Sequence, residues 1–372
     1  MGPSGVGKSR LMMRYQQKGL KDGRFNHKSF NITGNCTPDD LKEVLSRGMV
    51  LSKQTGVYKP AARGSTNLFF IDDLNMCKAD EFDIKCPLEL LRQWMDYQGW
   101  YDNRDKNFVK IKNLQFCASV SLPEDGIRQS DKGVVDERFM WKFAIVTFIN
   151  SNGEKNQIQE IFTQILTFVV ETWVPEIGGS EIVDKITKGT FQFYEYLQVS
   201  IPLSPISFTQ KVNQRHLLSA LFGIVELNGR NKQNTDDIAS IFVHEIARSM
   251  LDRIYDYDIK KECFDTLHQM AVEIFCLDQR RSKLLPQDMH APFYSYMKKD
   301  FNDYYTKCTD NYVKEIMTIE ELLDEYNQVN FKTPIEVALF SFMTDNIIKT
   351  NRSLRQPWPG TILIANEGCG AQ

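Results

Sequence analysis

The stretch that decides the fold is "GPSGVGKS" at residues 2–9, which fits the pattern GxxxxGK[ST] without a mismatch. In this pattern the glycines let backbone N–H groups turn toward phosphate oxygens, the lysine reaches the β- and γ-phosphates, and the last hydroxyl meets Mg²⁺. The following "LMMRYQQ" continues as a helix whose N-terminus points at the anion. We therefore expect ATP and Mg²⁺ as cofactors, bound by Gly2, Pro3, Ser4, Gly5, Val6, Gly7, Lys8, Ser9 and Arg10.

A second motif, "LFFIDD" (68–73), pairs four apolar residues with two acids at the end of a predicted strand. Asp72 is placed to hold Mg²⁺ together with Ser9, and Asp73 is placed to orient the attacking water, which makes it a catalytic residue. Asp73 replaces the more usual glutamate and is shorter by one C–C bond, roughly 1.5 Å. Misplacement by about 1 Å costs on the order of 10²-fold in rate. We therefore expect secure nucleotide binding and slow hydrolysis.

The composition is that of an ordinary globular chain. Of its 372 residues 25% are charged, and the net charge of -3 gives no whole-chain argument for nucleic acid or an acidic membrane surface. The longest apolar runs fall far short of the roughly 20 residues that span a bilayer. The eight cysteines show no CxxC or zinc-finger spacing, which favours free thiols in a reducing compartment. We expect neither nucleic-acid nor membrane partners.

Two kinds of hydrophobic pattern divide the chain. Up to about residue 150, strand-like and helical runs alternate, which predicts an α/β domain with a parallel sheet flanked by helices. Its strands are predicted at 29–33, 67–73, 114–121 and 143–150, and its helices behind Thr37-Pro38 and over 87–100. From about 154 the apolar spacing becomes helical, which predicts an all-α second domain.

The end of the chain has a predicted strand followed by a loop-like stretch, which is the order of elements at a phosphate-binding loop. Thr333 as cap and Glu336 as its capping-box partner predict a helix to about Arg355. A buried strand, "TILIA" (361–365), is predicted next, followed by "ANEGCGAQ" (365–372). This last stretch keeps two glycines of the loop pattern but has lost the lysine and the terminal hydroxyl. We expect it to bind nucleotide very poorly or not at all.

At this point the residues resemble a known family, the dynein heavy chains. "FIDDLNM" followed by "PLELLRQWMDYQGWYD" resembles the third AAA+ module. The sequence of these stretches is more similar to axonemal than to cytoplasmic dyneins. "KVNQRHLLSAL" resembles the lid helix with the sensor II arginine, and "SLRQPWPGTILIANEGCGAQ" resembles the approach to the fourth module. The resemblance implies an AAA+ P-loop domain over 1–150 with its first strand missing, a helical lid over 151–325, and the start of the next module over 326–372.

The resemblance also implies roles for three further residues. Arg215 matches sensor II, which contacts the γ-phosphate, and counts with Asp73 as a catalytic candidate. Arg138 matches the arginine finger that serves the preceding module's nucleotide, although its neighbours Asp136 and Glu137 argue against that role. No asparagine stands at the sensor I position, which leaves Ser119 as a candidate there.

The family implies six AAA+ modules in a ring, so we expect this chain to be a segment of a longer heavy chain. The implied partners are the neighbouring modules, a microtubule through the complete motor, and dynein intermediate and light chains. The implied location is the cytoplasm and cytoskeleton, and the axoneme of a cilium or flagellum. An arginine finger supplied in trans is worth roughly 10³–10⁵ in rate. The isolated chain is therefore expected to be a weak or inactive ATPase.

Two alternatives remain open on the sequence. One is a structural ring module that binds nucleotide without hydrolysis, which the aspartate at 73 and the missing sensor I favour. The other is a stand-alone P-loop switch or nucleotide kinase, which the dynein-like lid argues against. His216 and His244 lie on predicted helices with no metal-ligating pattern around them, which favours a packing role.

Overall fold

A computed structural model gives the chain as two compact units, Met1–Asn152 and Gly153–Gln372. The described residues are 1–2, 5–19, 25–52, 56–62, 64–103, 106–121, 135–148, 152–173, 179–201, 210, 212–225, 235–296, 305–308, 312–356 and 360–363. The predicted site residues Pro3 and Ser4 lie outside them. So do residues 364–372, which hold the end of the predicted last strand and the predicted second loop (365–372).

The first unit alternates strands and helices, as the sequence predicts. Its helices are α1 (Lys8–Gly19), α2 (Pro38–Ser46), α3 (Cys86–Tyr97) and α4 (Glu137–Met140). Its strands are β1 (Phe25–Asn31), β2 (Met49–Ser52), β3 (Val57–Pro60), β4 (Thr66–Asp72), β5 (Gly99–Tyr101), β6 (Phe108–Ile111) and β7 (Leu114–Ala118). A 3-10 turn, Leu74–Met76, follows β4.

A parallel sheet in the order β1-β4-β7 forms the centre of this unit. Phe69 of the middle strand pairs with Lys28 on one side and Phe116 on the other. Phe69, Phe70 and Ile71 are buried, as expected for a strand covered on both faces. Because the strands are parallel, the ends of β4 and β7 meet at one edge of the sheet, which is where the acids lie.

Local signals explain where the helices begin and end. The Thr37 side chain accepts a hydrogen bond from the Asp40 backbone, and the Asp40 side chain reaches back to the Thr37 backbone, so a capping box starts α2. Helix α3 ends at Gln98, which adopts the left-handed conformation with φ 54°. The predicted helix over 87–100 therefore stops short, and its last residues form β5.

A second sheet, in the order β2-β3-β6-β5, was not predicted. Its strands have three or four residues each and many exposed positions, so they lack the apolar runs that mark buried strands. Only β3 and β6 run parallel; the other pairs are antiparallel.

The prediction of a buried strand over 143–150 is wrong for the described residues 143–148. They have no strand pairing, and Ile145 and Val146 are exposed. Their backbone bonds go to the first residue of the chain instead: Phe148 N donates to Met1 O at 2.7 Å, and the Met1 amino group donates to Val146 O at 2.7 Å. Apolar composition alone does not form a strand, because strand pairing depends on the neighbouring backbone.

The second unit is helical. Its helices are α5 (Asn152–Trp173), α6 (Gly179–Ser200), α7 (Gln214–Val225), α8 (Thr235–Ile246), α9 (Tyr257–Phe275), α10 (Gln279–Ser282), α11 (Val313–Val329) and α12 (Ser341–Arg355). A π-helical turn, Ala247–Leu251, continues α8, and Tyr294–Ser295 (β8) pairs with Thr306–Lys307 (β9). None of the helices in the described ranges is long and apolar enough to cross a membrane.

Helices α5, α6, α7, α8 and α9 all contribute side chains to the core of this unit. Several of its side chains have no exposed area, and each contributes about 1.5–3 kcal/mol by burial: Phe193, Leu217, Phe242, Leu251 and Leu267. The amphipathic spacing that predicts these helices thus also predicts their buried face.

The predicted capping box at Thr333 and Glu336 is wrong. The helix begins at Ser341, and residues 334–340 are irregular. The Asn327 side chain donates to Ile335 O at 2.9 Å and accepts from Ile335 N at 2.8 Å, which holds this stretch out of a helix. Residues 361–363, the described part of the predicted strand, are irregular. The division of the second unit into a lid and a next module stays a prediction.

Candidate functional site

The loop between residues 5 and 8 has the backbone of a phosphate cradle. Gly5 and Gly7 have φ values of 94° and 86°, which glycine adopts readily and other residues rarely do. Helix α1 begins directly afterwards at Lys8, so the loop leads into a helix N-terminus. Such an N-terminus offers unpaired N–H groups and a positive dipole end to an anion.

Position 2 requires glycine because another segment of the same chain approaches it closely. A Cβ at this position would overlap the backbone oxygen and Cβ of Phe148. On its other side, Gly2 N donates to Val120 O at 3.3 Å, and Gly2 bridges Ser121 in parallel. The entrance to the loop is thus held between the segment after β7 and the segment ending at Phe148.

Lys8 places its charge on the loop itself. Its Nζ donates to Gly2 O at 2.5 Å, so the ammonium lies beside the first residue of the loop motif. A cation held there faces the position that the loop pattern assigns to the β- and γ-phosphates.

Asp72 brings the two motifs together. Ser9 Oγ donates to Asp72 Oδ1 at 2.8 Å, across 63 positions of sequence. The same oxygen accepts from Asp73 N at 3.2 Å and from Ser119 Oγ. Asp72 is 7% exposed, and among the described residues no hydrogen bond reaches its other oxygen, Oδ2. The carboxylate is therefore fixed through one oxygen and presents the other.

Asp73 stands just past the end of β4 in a strained conformation. Its φ and ψ are 53° and 48°, in the left-handed region that aspartate tolerates better than most residues. Two contacts with Ser119 hold the turn: Asp73 N donates to Ser119 Oγ at 3.2 Å, and Leu74 N donates to Ser119 O at 3.0 Å. Asp73 itself is exposed. Strain of this kind concentrates at functional sites.

The donor set fits Mg²⁺. This ion takes oxygen ligands at octahedral positions, keeps several waters, and is bound through one or two carboxylates plus substrate phosphates. The Ser9 hydroxyl and the Asp72 carboxylate supply oxygens of this kind beside the loop. No group of three or more His, Cys, Asp or Glu in the described part of the chain is arranged to hold a metal by itself.

Cys117 lies near this site on β7. Burial raises the pKa of its thiol, and its Sγ lies 3.6 Å from the Met12 sulfur on α1. A neutral, packed thiol does not act as a nucleophile, so the chemistry of this edge depends on the loop, the hydroxyls and the acids.

The remaining predicted residues of the first unit are not brought into this cluster. Arg10 is exposed on α1, and Val6 is half-buried in the loop. Arg138 is exposed on α4 and pairs with Asp136 at 3.5 Å, as its acidic neighbours suggested. Arg215 is exposed near the start of α7, in the second unit, and its role toward a nucleotide stays a prediction.

Sequence reasoning missed one supporting residue. Asn75, in the turn after Asp73, accepts a hydrogen bond from Ser121 N at 3.2 Å through its side-chain oxygen. This bond ties the turn to the backbone that flanks Gly2. The signal was available: an asparagine in a turn just after a strand end, here three residues after it, commonly bonds nearby backbone.

Comparison with known proteins agrees with this geometry. Residues 1–151 match the family model described as "P-loop containing dynein motor region". The whole chain is similar to dynein axonemal heavy chain 12 of Rattus norvegicus, with 25% identity over 393 residues. It is also similar to dynein axonemal heavy chain 2 of Homo sapiens, with 24% identity over 373 residues. A third relative, the Dynein-1-beta heavy chain, flagellar inner arm I1 complex, of Chlamydomonas reinhardtii, is 23% identical over 372 residues.

These relatives are much longer than this chain. The alignments cover 100% of the chain but only 12% of the rat protein and 8% of the other two. The resemblance of this chain to dynein heavy chains is therefore confirmed, by a dynein P-loop motor region over residues 1–151 and by similarity to axonemal heavy chains along its whole length.

Proposed function

We propose that this chain is an ATP-binding AAA+ module of a dynein heavy chain, the third of the ring, with its lid and the start of the fourth module. The observation that carries the proposal is the 2.8 Å hydrogen bond from Ser9 to Asp72. It joins the last residue of the phosphate loop to the first acid of the second motif, so that metal and phosphate ligands converge at one sheet edge.

Each residue has a distinct task in this proposal. The backbone of the loop and Lys8 would bind the phosphates, and Ser9 and Asp72 would hold Mg²⁺. When bound there, Mg²⁺ would supply neutralisation of charge on the phosphate oxygens. Asp73 orients water, and Arg215 contacts the γ-phosphate, so that the lid responds to the nucleotide state.

Calorimetry of the 372-residue chain with Mg²⁺ and ATP tests the binding. Replacing Lys8 by Ala removes the cation at the β- and γ-phosphates, and we expect ATP affinity to fall at least about 100-fold, or about 2.7 kcal/mol. Lys59→Ala, at an exposed position of β3, is the matched control and leaves affinity unchanged. Equal affinity of wild type and Lys8→Ala contradicts the proposal.

A second candidate function is nucleotide binding without turnover. Asp73 is short, exposed and held in a left-handed turn, and Arg138 is engaged with Asp136. These features favour a site that binds ATP and regulates other modules. Single-turnover hydrolysis in a heavy chain with its flanking modules separates the two functions: loss of a measurable rate on Asp73→Asn supports hydrolysis here, and an absent wild-type rate supports the binding role.

The relatives support a motor context for this chain. The names of the three proteins describe axonemal or flagellar dyneins. We infer that this chain contributes to nucleotide-regulated, microtubule-based movement in the axoneme of a cilium or flagellum, as part of the cytoskeleton. Its partners in that setting are the neighbouring AAA+ modules, the microtubule through the complete motor, and intermediate and light chains. Microscopy of a tagged full-length heavy chain tests the location.

A further inference from the structure

Ser119 lies where the phosphate loop, the metal-binding acid and the turn after it meet. It is 4% exposed and follows the end of β7. Its backbone is hydrogen-bonded to the residues directly before and after the two acids: Ser119 N donates to Ile71 O at 2.9 Å, and Ser119 O accepts from Leu74 N at 3.0 Å. The residue is thus fixed beside Asp72 and Asp73 before its side chain is considered.

The hydroxyl of Ser119 is committed to those same two residues. It accepts from Asp73 N at 3.2 Å and donates to Asp72 Oδ1. A serine hydroxyl has one proton to donate. Because Asp72 takes that proton, the hydroxyl has none left for a γ-phosphate, which is the group a sensor I side chain would contact.

The hydrogen bond from Ser119 helps to orient the Asp72 carboxylate. Its Oδ1 accepts from Ser9 Oγ, Asp73 N and Ser119 Oγ, while no described residue donates to Oδ2. Three donors on one oxygen set the carboxylate plane and leave the second oxygen for a cation. Residues that orient a metal-binding carboxylate in this way commonly change metal affinity 10–100-fold when they are mutated.

We propose that Ser119 is a positioning residue for the Asp72 carboxylate and through it for Mg²⁺, and that it does not sense the γ-phosphate. The inference rests on the proposed ATP·Mg²⁺ site. It requires that Ser119 supports MgATP and MgADP equally, because both nucleotides carry the metal. It also requires that Ser119 contributes nothing to the binding of metal-free nucleotide.

Calorimetry of the 372-residue chain with ATP and with ADP, each in Mg²⁺ and in EDTA, tests this. For Ser119→Ala we expect affinity for both Mg²⁺ complexes to fall about 10–100-fold and affinity in EDTA to stay at the wild-type value. Ser119→Thr keeps the hydroxyl and restores Mg²⁺-dependent binding. Ser65→Ala is the matched control, because Ser65 is 2% exposed and hydrogen-bonded at the opposite end of β4.

Each other outcome overturns the inference. A loss confined to ATP, with unchanged binding of MgADP, makes Ser119 a γ-phosphate sensor. An equal loss in Mg²⁺ and in EDTA makes its role structural, and wild-type affinities throughout give it no role. If Ser119→Ala does not fold, as judged by circular dichroism, Ser119→Cys keeps the volume with a weaker donor and is compared in the same four titrations. A wild-type chain that binds neither nucleotide overturns the proposed function itself.

Discussion

Two buried acids, Asp72 in the first unit and Glu245 in the second, are satisfied in opposite ways. Asp72 receives its three described hydrogen bonds on one oxygen and presents the other. Glu245 is fully buried and uses both: Oε1 accepts from Tyr305 Oη at 2.5 Å and from Arg352 Nε at 3.1 Å, and Oε2 accepts from the same guanidinium. An acid with an open oxygen can take a ligand, while one closed by its own chain stabilises the fold.

The surroundings of Glu245 show how tightly it is enclosed. A Cβ at Gly223 of α7 would overlap its carboxylate, so glycine is required there for space. His244 is bonded through both ring nitrogens, to Tyr305 Oη at 2.6 Å and from Phe293 N at 3.1 Å, which confirms its packing role. The cluster thus ties α7, α8 and α12 together.

We expect the largest effect from a substitution that breaks the cluster around Glu245. Arg352→Met leaves the Glu245 carboxylate buried without its cation, which costs about 3–5 kcal/mol of unfolding free energy. Native-state hydrogen exchange measured on peptides of α8 and α12 reports the loss, because it resolves local stability.

Two further variants sharpen this test. Arg281→Met removes a partly exposed ion pair with Asp236 at 3.8 Å and should cost no more than about 0.5 kcal/mol. Adding Glu245→Gln to Arg352→Met removes the buried charge and should recover part of the loss. A cost below about 1 kcal/mol for Arg352→Met would show that the cluster is not closed.

A smaller effect concerns pH. Burial, together with the Arg253 cation, lowers the pKa of His216 on α7 to about 4. The unfolded chain has a histidine pKa of about 6.5, so below that pH it binds a proton that the folded chain does not. The free energy of unfolding of the second unit should therefore fall as pH drops from about 6.5 toward 4.

The magnitude is about 1–2 kcal/mol, because partial exposure of the ring reduces the effect. Urea unfolding at pH 7 and pH 5 measures it, and His216→Asn should flatten the dependence in part. Burial also lowers the pKa of His244, so some slope of the same sign remains. Stability that rises on acidification would show that the ring is not held neutral.

The nucleotide site around Asp72, with its open oxygen, was far easier to predict than the closed cluster of Glu245, Tyr305 and Arg352. Lys8, Ser9, Asp72 and the strand before the acids follow from two short motifs, because phosphate chemistry demands those residue types at that spacing. The structure confirms β1, β4, β7 and the Thr37 cap. Glu245 and Arg352 are 107 positions apart, and in the sequence each looks like one charge on an amphipathic helix.

The wrong predictions have a similar cause. The run at 143–148 and the box at Thr333 have the right local residues, but backbone and side-chain groups outside each motif decide their conformation. These groups are Met1 in the first case and Asn327, eight positions before Ile335, in the second. Likewise the donor role of Ser119 toward Asp72 depends on the register of β7 against β4. Local chemistry can be read from residue types, whereas these pairings depend on tertiary packing.

The smallest expected effect concerns strain at the open site. Asp73 holds a left-handed conformation, which costs a non-glycine residue on the order of 1 kcal/mol. Asp73→Gly should relieve it and raise the unfolding free energy of the first unit by up to about 1 kcal/mol, less the added entropy of the unfolded chain. Gln98→Gly, at a left-handed helix end with φ 54°, is the matched control and should show a similar gain. MgATP affinity should be unchanged at both positions, because Asp73 contributes to the metal site only through its backbone N–H, which glycine keeps. A marked fall in MgATP affinity for Asp73→Gly alone would place its carboxylate in the binding site, and the open site would then have two acids where we assign one.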